Sequence, residues 1–364
     1  MAKYYCNPMN ITYRYQYNQK DGGFVRNREA ADPSLIQFKE KYYLFPSMSR
    51  AFWTSTDLVN WEMHELLNVP IYDYAPDVRV IGSYMYFSAS KNGEICDFYR
   101  TKNPESGIFE KIKGSFDFWD PNLFVDDDGR VYFYWGCSNV TPIWGVELDP
   151  DTMKPLGERI ELIQNHKKEY GYERVGENHQ YDCKNNNVWL MMREQFAHQM
   201  GCKAEEITDL NPIIAALPEE QQNILSTLLS DNPYIEGAWM TKYAGRYYLQ
   251  YACTGTEYNI YGDGVYVSDK PLGPFQVAKN NPYSYNPGGF IPGAGHGSTL
   301  EDMKGRFWHT ATMRISMNHA MERRIGIWPA GFDQDGELFC NQRYADWPVK
   351  IEEDVSDPWC CPAN

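Results

Sequence analysis

The sequence repeats one pattern five times, and this repeat limits the possible folds more than any other feature. Each copy opens with a short polar and apolar segment, passes through a turn with charge or glycine, and enters an aromatic-rich strand. The openings begin at Asp32, Tyr74, Asp120, Glu236 and His296. Repeats of this kind indicate supersecondary units that bury their apolar faces against one another.

Each unit predicts four antiparallel strands. A second hairpin signal, with turn residues between alternating strands, follows every opening. These signals lie near residues 53–61, 99–104, 146–151, 265–275 and 325–336. Four-stranded sheets repeated about an axis form a β-propeller. The sequence therefore predicts an all-β, five-bladed β-propeller that occupies residues 1–364 as a single domain. The WD40 type is disfavoured because the units do not end in a Trp-Asp dipeptide.

The spacing also predicts an insertion between the third and fourth units, over about residues 163–234. Pro212 and Pro218 stand where proline favours the first turn of a helix. One apolar stripe at helical spacing follows, formed by Ile224, Leu225, Leu228 and Leu229. We interpret the insertion as a packing arm or a contact in a homo-oligomer, with a lid as the alternative. A short polar tail, residues 354–364, ends the chain.

The overall charge disfavours a nucleic-acid partner. The chain carries 34 Lys and Arg against 49 Asp and Glu, a net charge of −15 that a phosphate backbone would repel. The sequence lacks the run of about 18 apolar residues that a membrane span needs. Its N-terminus lacks the apolar stretch of a signal peptide, and its nine cysteines form no C-x-x-C pair. We therefore expect a cytoplasmic protein with reduced thiols, with a trimmed secretion signal as the alternative, and we expect a neutral or cationic ligand.

The repeat places several acids together. The innermost strands of a propeller line its channel, so the openings predict a ring of Asp32, Asp120, Glu236 and His296, with Asp77 three places beyond the slot of Tyr74. Clustered carboxylates raise one another's pKa. Glycoside hydrolysis uses one carboxyl that keeps its proton and another that stays ionised. Any one of these acids alone could be a structural turn residue, but three in matching positions favour catalysis.

In this order and spacing, the openings resemble glycoside hydrolase family 43 over about residues 28–347. The segments that carry the resemblance are 31–34, 74–78, 119–129, 235–239 and 295–298. It implies a five-bladed propeller and an inverting enzyme that acts on arabinose- and xylose-containing plant glycans. The family often has Glu-Gly-Pro where this chain has Glu236-Gly237-Ala238, which we interpret as a change in the local turn.

The resemblance also implies roles for individual residues. Asp32 matches the general base, Glu236 the general acid, and Asp120 the pKa modulator and orienter. His296 matches a channel histidine that helps to bind a central calcium ion, often through water. We expect no cofactor to be required, with calcium as a structural ion at most.

Sugar faces pack on aromatic rings, so side chains near the ring motifs are candidates for substrate binding. These are Tyr74, Asp77, Trp119, Trp239, Tyr258 and His296. The expected activity is exo-acting removal of arabinofuranosyl or xylosyl residues from plant cell-wall oligosaccharides, by an α-L-arabinofuranosidase, a β-xylosidase or both. The alternatives are a related galactan- or arabinan-cleaving glycosidase, or a non-catalytic glycan-binding propeller that keeps the aromatics but need not keep the acids.

Overall fold

A computed structural model describes residues 3–20, 23–69, 74–90, 94–175, 187–286, 293–315 and 322–352. Within these ranges the chain forms five antiparallel sheets of four consecutive strands each, which confirms the predicted five-bladed propeller. The predicted tail at residues 354–364 lies outside the described residues, as does the side chain of Tyr74.

Two short elements precede the blades: β1 (Tyr4–Tyr5) and the hairpin β2 (Gln16–Lys20) and β3 (Gly23–Asn27). Blade 1 contains β4 (Ala31–Phe38), β5 (Lys41–Ser47), β6 (Ala51–Ser55) and β7 (Glu62–Glu65). Blade 2 contains β8 (Tyr74–Ile81), β9 (Tyr84–Ser90), β10 (Ile95–Thr101) and β11 (Glu110–Asp117). Blade 3 contains β12 (Asn122–Val125), β13 (Val131–Trp135), β14 (Ile143–Leu148) and β15 (Ile160–Ile163).

Blade 4 contains β16 (Glu236–Tyr243), β17 (Arg246–Cys253), β18 (Gly262–Ser268) and β19 (Gln276–Val277). Blade 5 contains β20 (Gly293–Glu301), β21 (Phe307–Arg314), β22 (Arg323–Phe332) and β23 (Leu338–Cys340). The last strand, β24 (Val349–Lys350), pairs with β1 and joins the two ends of the described chain.

The first strand of every blade lines the channel. These strands contact one another in a closed ring, β4 to β8 to β12 to β16 to β20 and back to β4. Four of the five junctions repeat one hydrogen bond, from a backbone N–H in the first strand of one blade to a side chain in the first strand of the preceding blade. The donor and acceptor pairs are Val78 and Ser34 (3.1 Å), Leu123 and Asp77 (2.7 Å), Met240 and Asn122 (2.8 Å), and Leu35 and Ser298 (3.0 Å).

The hydrophobic core lies between adjacent blades, because each sheet buries its apolar face against the next. One cluster joins blades 1 and 2 and includes a face-to-face stack of Phe45 on Phe52, with ring centroids 4.6 Å apart. Another joins blades 5 and 1 around Trp53 and Trp308. The N-terminal segment covers this last junction, where the Asn7 amide exchanges two hydrogen bonds with the backbone of Ile327.

The insertion follows blade 3, and its described residues contain three α-helices, α1 (Asn187–Met200), α2 (Asn211–Ile214) and α3 (Glu219–Leu229). The two predicted helix starts are confirmed, but the sequence did not indicate α1. The predicted stripe on α3 is only partly correct: Leu225 is buried, whereas Ile224 and Leu228 are 55% and 48% exposed. No helix within the described ranges has the length and apolarity to cross a membrane.

Candidate active site

One residue in each opening adopts a left-handed backbone conformation. The five are Asp32, Ala75, Asp120, Gly237 and His296, with φ between 49° and 60°. They occupy equivalent positions, because in blades 1, 2, 4 and 5 the register of the first strand shifts at this point. The propeller therefore brings the backbone of Asp32, Asp120 and His296 to matching places on the channel.

This alignment corrects two of the predicted positions. Tyr74 and Glu236 were expected in the same slot as Asp32, but each lies one residue earlier. Glu236 pairs with Ala252 as Ala31 pairs with Ser47 in blade 1. The left-handed position of blade 4 is taken by Gly237, where a Cβ atom would lie 2.6 Å from the His296 ring. Glu236 consequently reaches the channel from the position one residue before the left-handed Gly237.

Asp32 lies at the junction of blades 1 and 5 and is 5% exposed. Its Oδ2 accepts a hydrogen bond from Ser47 Oγ (2.6 Å), and its backbone N–H donates to Thr312 Oγ1 (2.7 Å). Its Oδ1 lies 3.5 Å from both Arg323 Nη1 and His296 Nδ1. Burial alone would raise the pKa of Asp32, but Arg323 and His296 outweigh it and lower the pKa. Asp32 is therefore held as a carboxylate.

His296 lies between two of the acids. Its Nδ1 is 3.5 Å from Asp32 Oδ1 and 3.7 Å from Asp120 Oδ2, and its backbone N–H donates to Asp263 Oδ1 (2.8 Å). Burial opposes the charged imidazolium, but Asp32, Asp120 and Glu236 outweigh burial and raise the pKa of His296. The ring thus offsets part of the negative charge that the acids bring to the channel.

Glu236 is fixed at both carboxyl oxygens. Oε1 accepts a hydrogen bond from Tyr261 Oη (2.5 Å), and Oε2 lies 3.1 Å from Cys137 Sγ. Cys137 also hydrogen-bonds Asp120. Burial, aided by the charges of Glu236 and Asp32, raises the pKa of Asp120 to about 8. The pKa of Asp120 is therefore raised, whereas that of Asp32 is lowered.

The structure does not bring Asp77 into this cluster. Its carboxylate is 3% exposed and accepts hydrogen bonds from Asn122 Nδ2 (3.0 Å) and from the N–H of Leu123 (2.7 Å). Burial raises its pKa to about 6. Both oxygens are occupied by the next blade, so we assign Asp77 to the junction of blades 2 and 3 instead of to substrate binding.

The prediction that Trp239 binds substrate is also corrected. Trp239 is 4% exposed, and the Arg79 guanidinium covers its ring at 3.4 Å from the centroid, so no face is open to a sugar. Trp119 is partly buried beside Asp120, and Tyr258 is partly exposed in the turn between β17 and β18. These two remain candidates for sugar contacts.

Several functional residues were missed at the level of sequence. Ser47 and Thr312 belong to a pattern that could have been found, because a hydroxyl at the end of a second strand recurs at Ser90, whose Oγ accepts from the N–H of Asp120 (3.2 Å). Tyr261 and Arg323 come from a loop and a third strand outside the repeated openings. Only the folded chain brings them to the acids.

The residues around His296 show whether this part of the channel fits the predicted calcium ion. Calcium takes six to eight oxygen ligands. The carboxylates of Asp32 and Asp120 lie beside His296 Nδ1, and their negative charges favour the protonated ring. These residues fit a charge-balancing imidazolium better than a calcium cage.

A carboxylate held ionised and a carboxyl group that retains a proton, facing one channel, are the two groups that define a glycoside hydrolase. The sequence model described as Glycosyl hydrolases family 43 matches residues 25–195 and 181–338. The chain belongs to this family, and it is a glycosidase that hydrolyses O-glycosyl bonds.

Similar proteins agree with this assignment. Xylosidase/arabinosidase 43A of Humicola insolens is 25% identical over 377 residues, which cover 86% of this chain and 97% of that protein. Beta-D-galactofuranosidase xynD of Aspergillus niger is 22% identical over 294 residues, covering 71% of this chain and 66% of that protein. The solved structure of a thermostable family-43 glycoside hydrolase has a TM-score of 0.65 and 20% identity, covering 96% of this chain and 100% of that one.

Proposed function

We propose that this protein is an inverting, exo-acting glycosidase that removes arabinofuranosyl or xylosyl residues from plant cell-wall oligosaccharides. The observation that carries the proposal is the meeting of Asp32, Asp120 and Glu236 on one channel, where Arg323 and His296 lower the pKa of Asp32 and burial raises that of Asp120. The relative named xylosidase/arabinosidase supports the sugar class. The relative named galactofuranosidase supports a related furanosidase as the second candidate.

In this mechanism Glu236 gives its proton to the glycosidic oxygen as the bond to the anomeric carbon breaks. Asp32 takes a proton from a water molecule, whose oxygen attacks the anomeric carbon from the opposite face. Arg323 and His296 stabilise Asp32 as a carboxylate until it accepts that proton. Asp120 lies between the acid and His296 and orients the acid. Each such proton transfer contributes about 10²- to 10⁴-fold to the rate.

The insertion supports action at chain ends. The Asn139 side-chain amide, two residues beyond Cys137, donates to the carbonyl of Thr227 in α3 (2.9 Å). This contact places α3 on the Glu236 side of the propeller, where it would limit the length of a bound chain.

The exposed side chains of Ile224 and Leu228 on α3 support a second role for the insertion, as a contact between copies of this chain. Light scattering after size exclusion tests this role: a homo-oligomer should dissociate when Ile224→Asp is introduced. A monomeric wild-type protein would contradict the contact and favour the lid.

The proposed activity is tested with nitrophenyl α-L-arabinofuranoside, β-D-xyloside and β-D-galactofuranoside. Turnover of either of the first two supports the proposal, and turnover of the third alone supports the second candidate. Proton NMR of the first-formed sugar should show the inverted anomer before mutarotation. A retained anomer would overturn inversion, and internal fragments as first products from linear arabinan or xylan would overturn exo-action. Binding without turnover on all of these substrates would indicate a glycan-binding propeller.

A further inference from the structure

The thiol of Cys137 has a position that the proposed reaction does not yet explain. Cys137 follows β13 in the loop that leads to β14, and its Sγ lies 3.1 Å from Glu236 Oε2. The same thiol hydrogen-bonds Asp120. The potential ligand atoms of these three residues all lie within 4.8 Å of one another. Cys137 is thus the side chain that connects the proposed acid with its neighbouring carboxyl.

A thiol can serve both neighbours because it has one S–H donor and a sulfur that accepts weakly. While Glu236 carries its proton, Oε2–H can point to the sulfur and S–H to Asp120. After the proton has gone to the leaving group, S–H can turn to the Glu236 carboxylate. A hydrogen bond to a charged group is stronger than one between neutral groups, so the second arrangement stabilises the ionised acid.

We propose that Cys137 is a positioning residue for the proton donor, holding Glu236 Oε2 through a hydrogen bond that reverses when the proton leaves. The proposal rests on Glu236 as the general acid. Tyr261 holds the other oxygen, so the carboxyl group is fixed at two points. The Cys137 thiol can exchange its donor and acceptor roles during a turnover, because it contacts Asp120 as well as Glu236.

Several titratable groups face Glu236 and would all affect its pH response. They are Asp120, Cys137, Tyr234, Cys253, Glu257, Tyr261 and His296. The test must therefore compare variants at one position, where the other charges stay constant.

The experiment compares Cys137→Ala with Cys137→Ser on aryl glycosides with poor and with activated leaving groups. Serine keeps a group that both donates and accepts, and alanine removes it. We expect Cys137→Ala to lower kcat about 10- to 100-fold on the poor leaving group, which corresponds to the loss of a hydrogen bond to a charged group. We expect little change on the activated leaving group or in KM. Its alkaline limb of kcat/KM should move to higher pH, because the ionised acid has lost a donor. Cys137→Ser should stay within about threefold of the wild type.

Cys96→Ala is the matched control for the loss of a buried sulfur, because Cys96 Sγ faces backbone carbonyls of blade 2. It should leave the pH profile and the leaving-group dependence unchanged. A Cys137→Ala variant that loses activity equally on both leaving groups, or keeps the wild-type profile, would overturn the proposal. Glu236→Gln serves as the reference: if it does not discriminate between the leaving groups, the acid assignment itself fails, independently of Cys137.

Discussion

Arg323 in β22 and Asp32 in β4 form an ion pair across the junction of the last and first blades, with Nη1 3.5 Å from Oδ1. The Nε of the same guanidinium donates to Glu29 Oε1 at 2.5 Å. One buried cation thus pairs with two buried carboxylates. The pair therefore links the last blade of the propeller to the first.

The first prediction concerns this ion pair. In Arg323→Gln the pKa of Asp32 should rise, because the largest influence that lowers it is gone. Activity needs ionised Asp32, so the acidic limb of kcat/KM should move to higher pH. The unpaired carboxylates should also cost about 3–5 kcal/mol of unfolding free energy. Arg323→Lys should keep the acidic limb of kcat/KM and the unfolding free energy close to those of the wild type. Rate profiles from pH 3 to 8 and urea unfolding measure them, and an unmoved acidic limb in Arg323→Gln would show that Asp32 is not the titrating base.

The second prediction separates the two acids. Glu236→Gln should lose about 10²- to 10⁴-fold in kcat/KM on substrates with poor leaving groups, and much less on activated ones that need no proton. Asp32→Asn should abolish turnover of both, because the attacking water is no longer deprotonated. Steady-state kinetics on matched aryl glycosides give the answer. Near-normal turnover by Asp32→Asn would make the base assignment wrong.

The third prediction tests Asp77 as a blade contact. Its folded pKa of about 6 lies above the ordinary value of 3.8, so its contribution to stability is present below pH 3.8 and is lost as the pH rises to 6. Relative to Asp77→Asn, the wild type should lose about 2–3 kcal/mol over that interval. Urea unfolding at pH 4, 5 and 6 measures the difference. KM should be unchanged in the variant, whereas a large increase in KM would restore Asp77 to the substrate site.

Much of the fold could be predicted because the repeat appears in local sequence. The five openings gave the number of blades, and they located Asp32, Asp120, Glu236 and His296 near one channel. The one-residue offset of Glu236 could not be predicted, because it depends on whether Glu236 or Gly237 adopts the left-handed conformation. The prediction that Trp239 binds a sugar was wrong for a similar reason. Arg79, which covers the Trp239 ring, belongs to blade 2 and contacts it only across the channel.

The last prediction concerns Gly237, which has a positive φ of 60° and lies against the His296 ring. In Gly237→Ala the new Cβ would lie 2.6 Å from His296 Cγ, so the ring must move. His296 lies beside both Asp32 and Asp120, and its displacement should therefore lower kcat at least tenfold. Gly245 offers a matched control, because its φ is 80° and a Cβ there meets nothing within 4 Å. Gly245→Ala should cost about 1–2 kcal/mol of unfolding free energy from backbone strain, with kcat unchanged. Both variants should lose stability, but only Gly237→Ala should also lose activity at a temperature where both remain folded. Equal kcat in the two variants would mean that the position of His296 does not matter for catalysis.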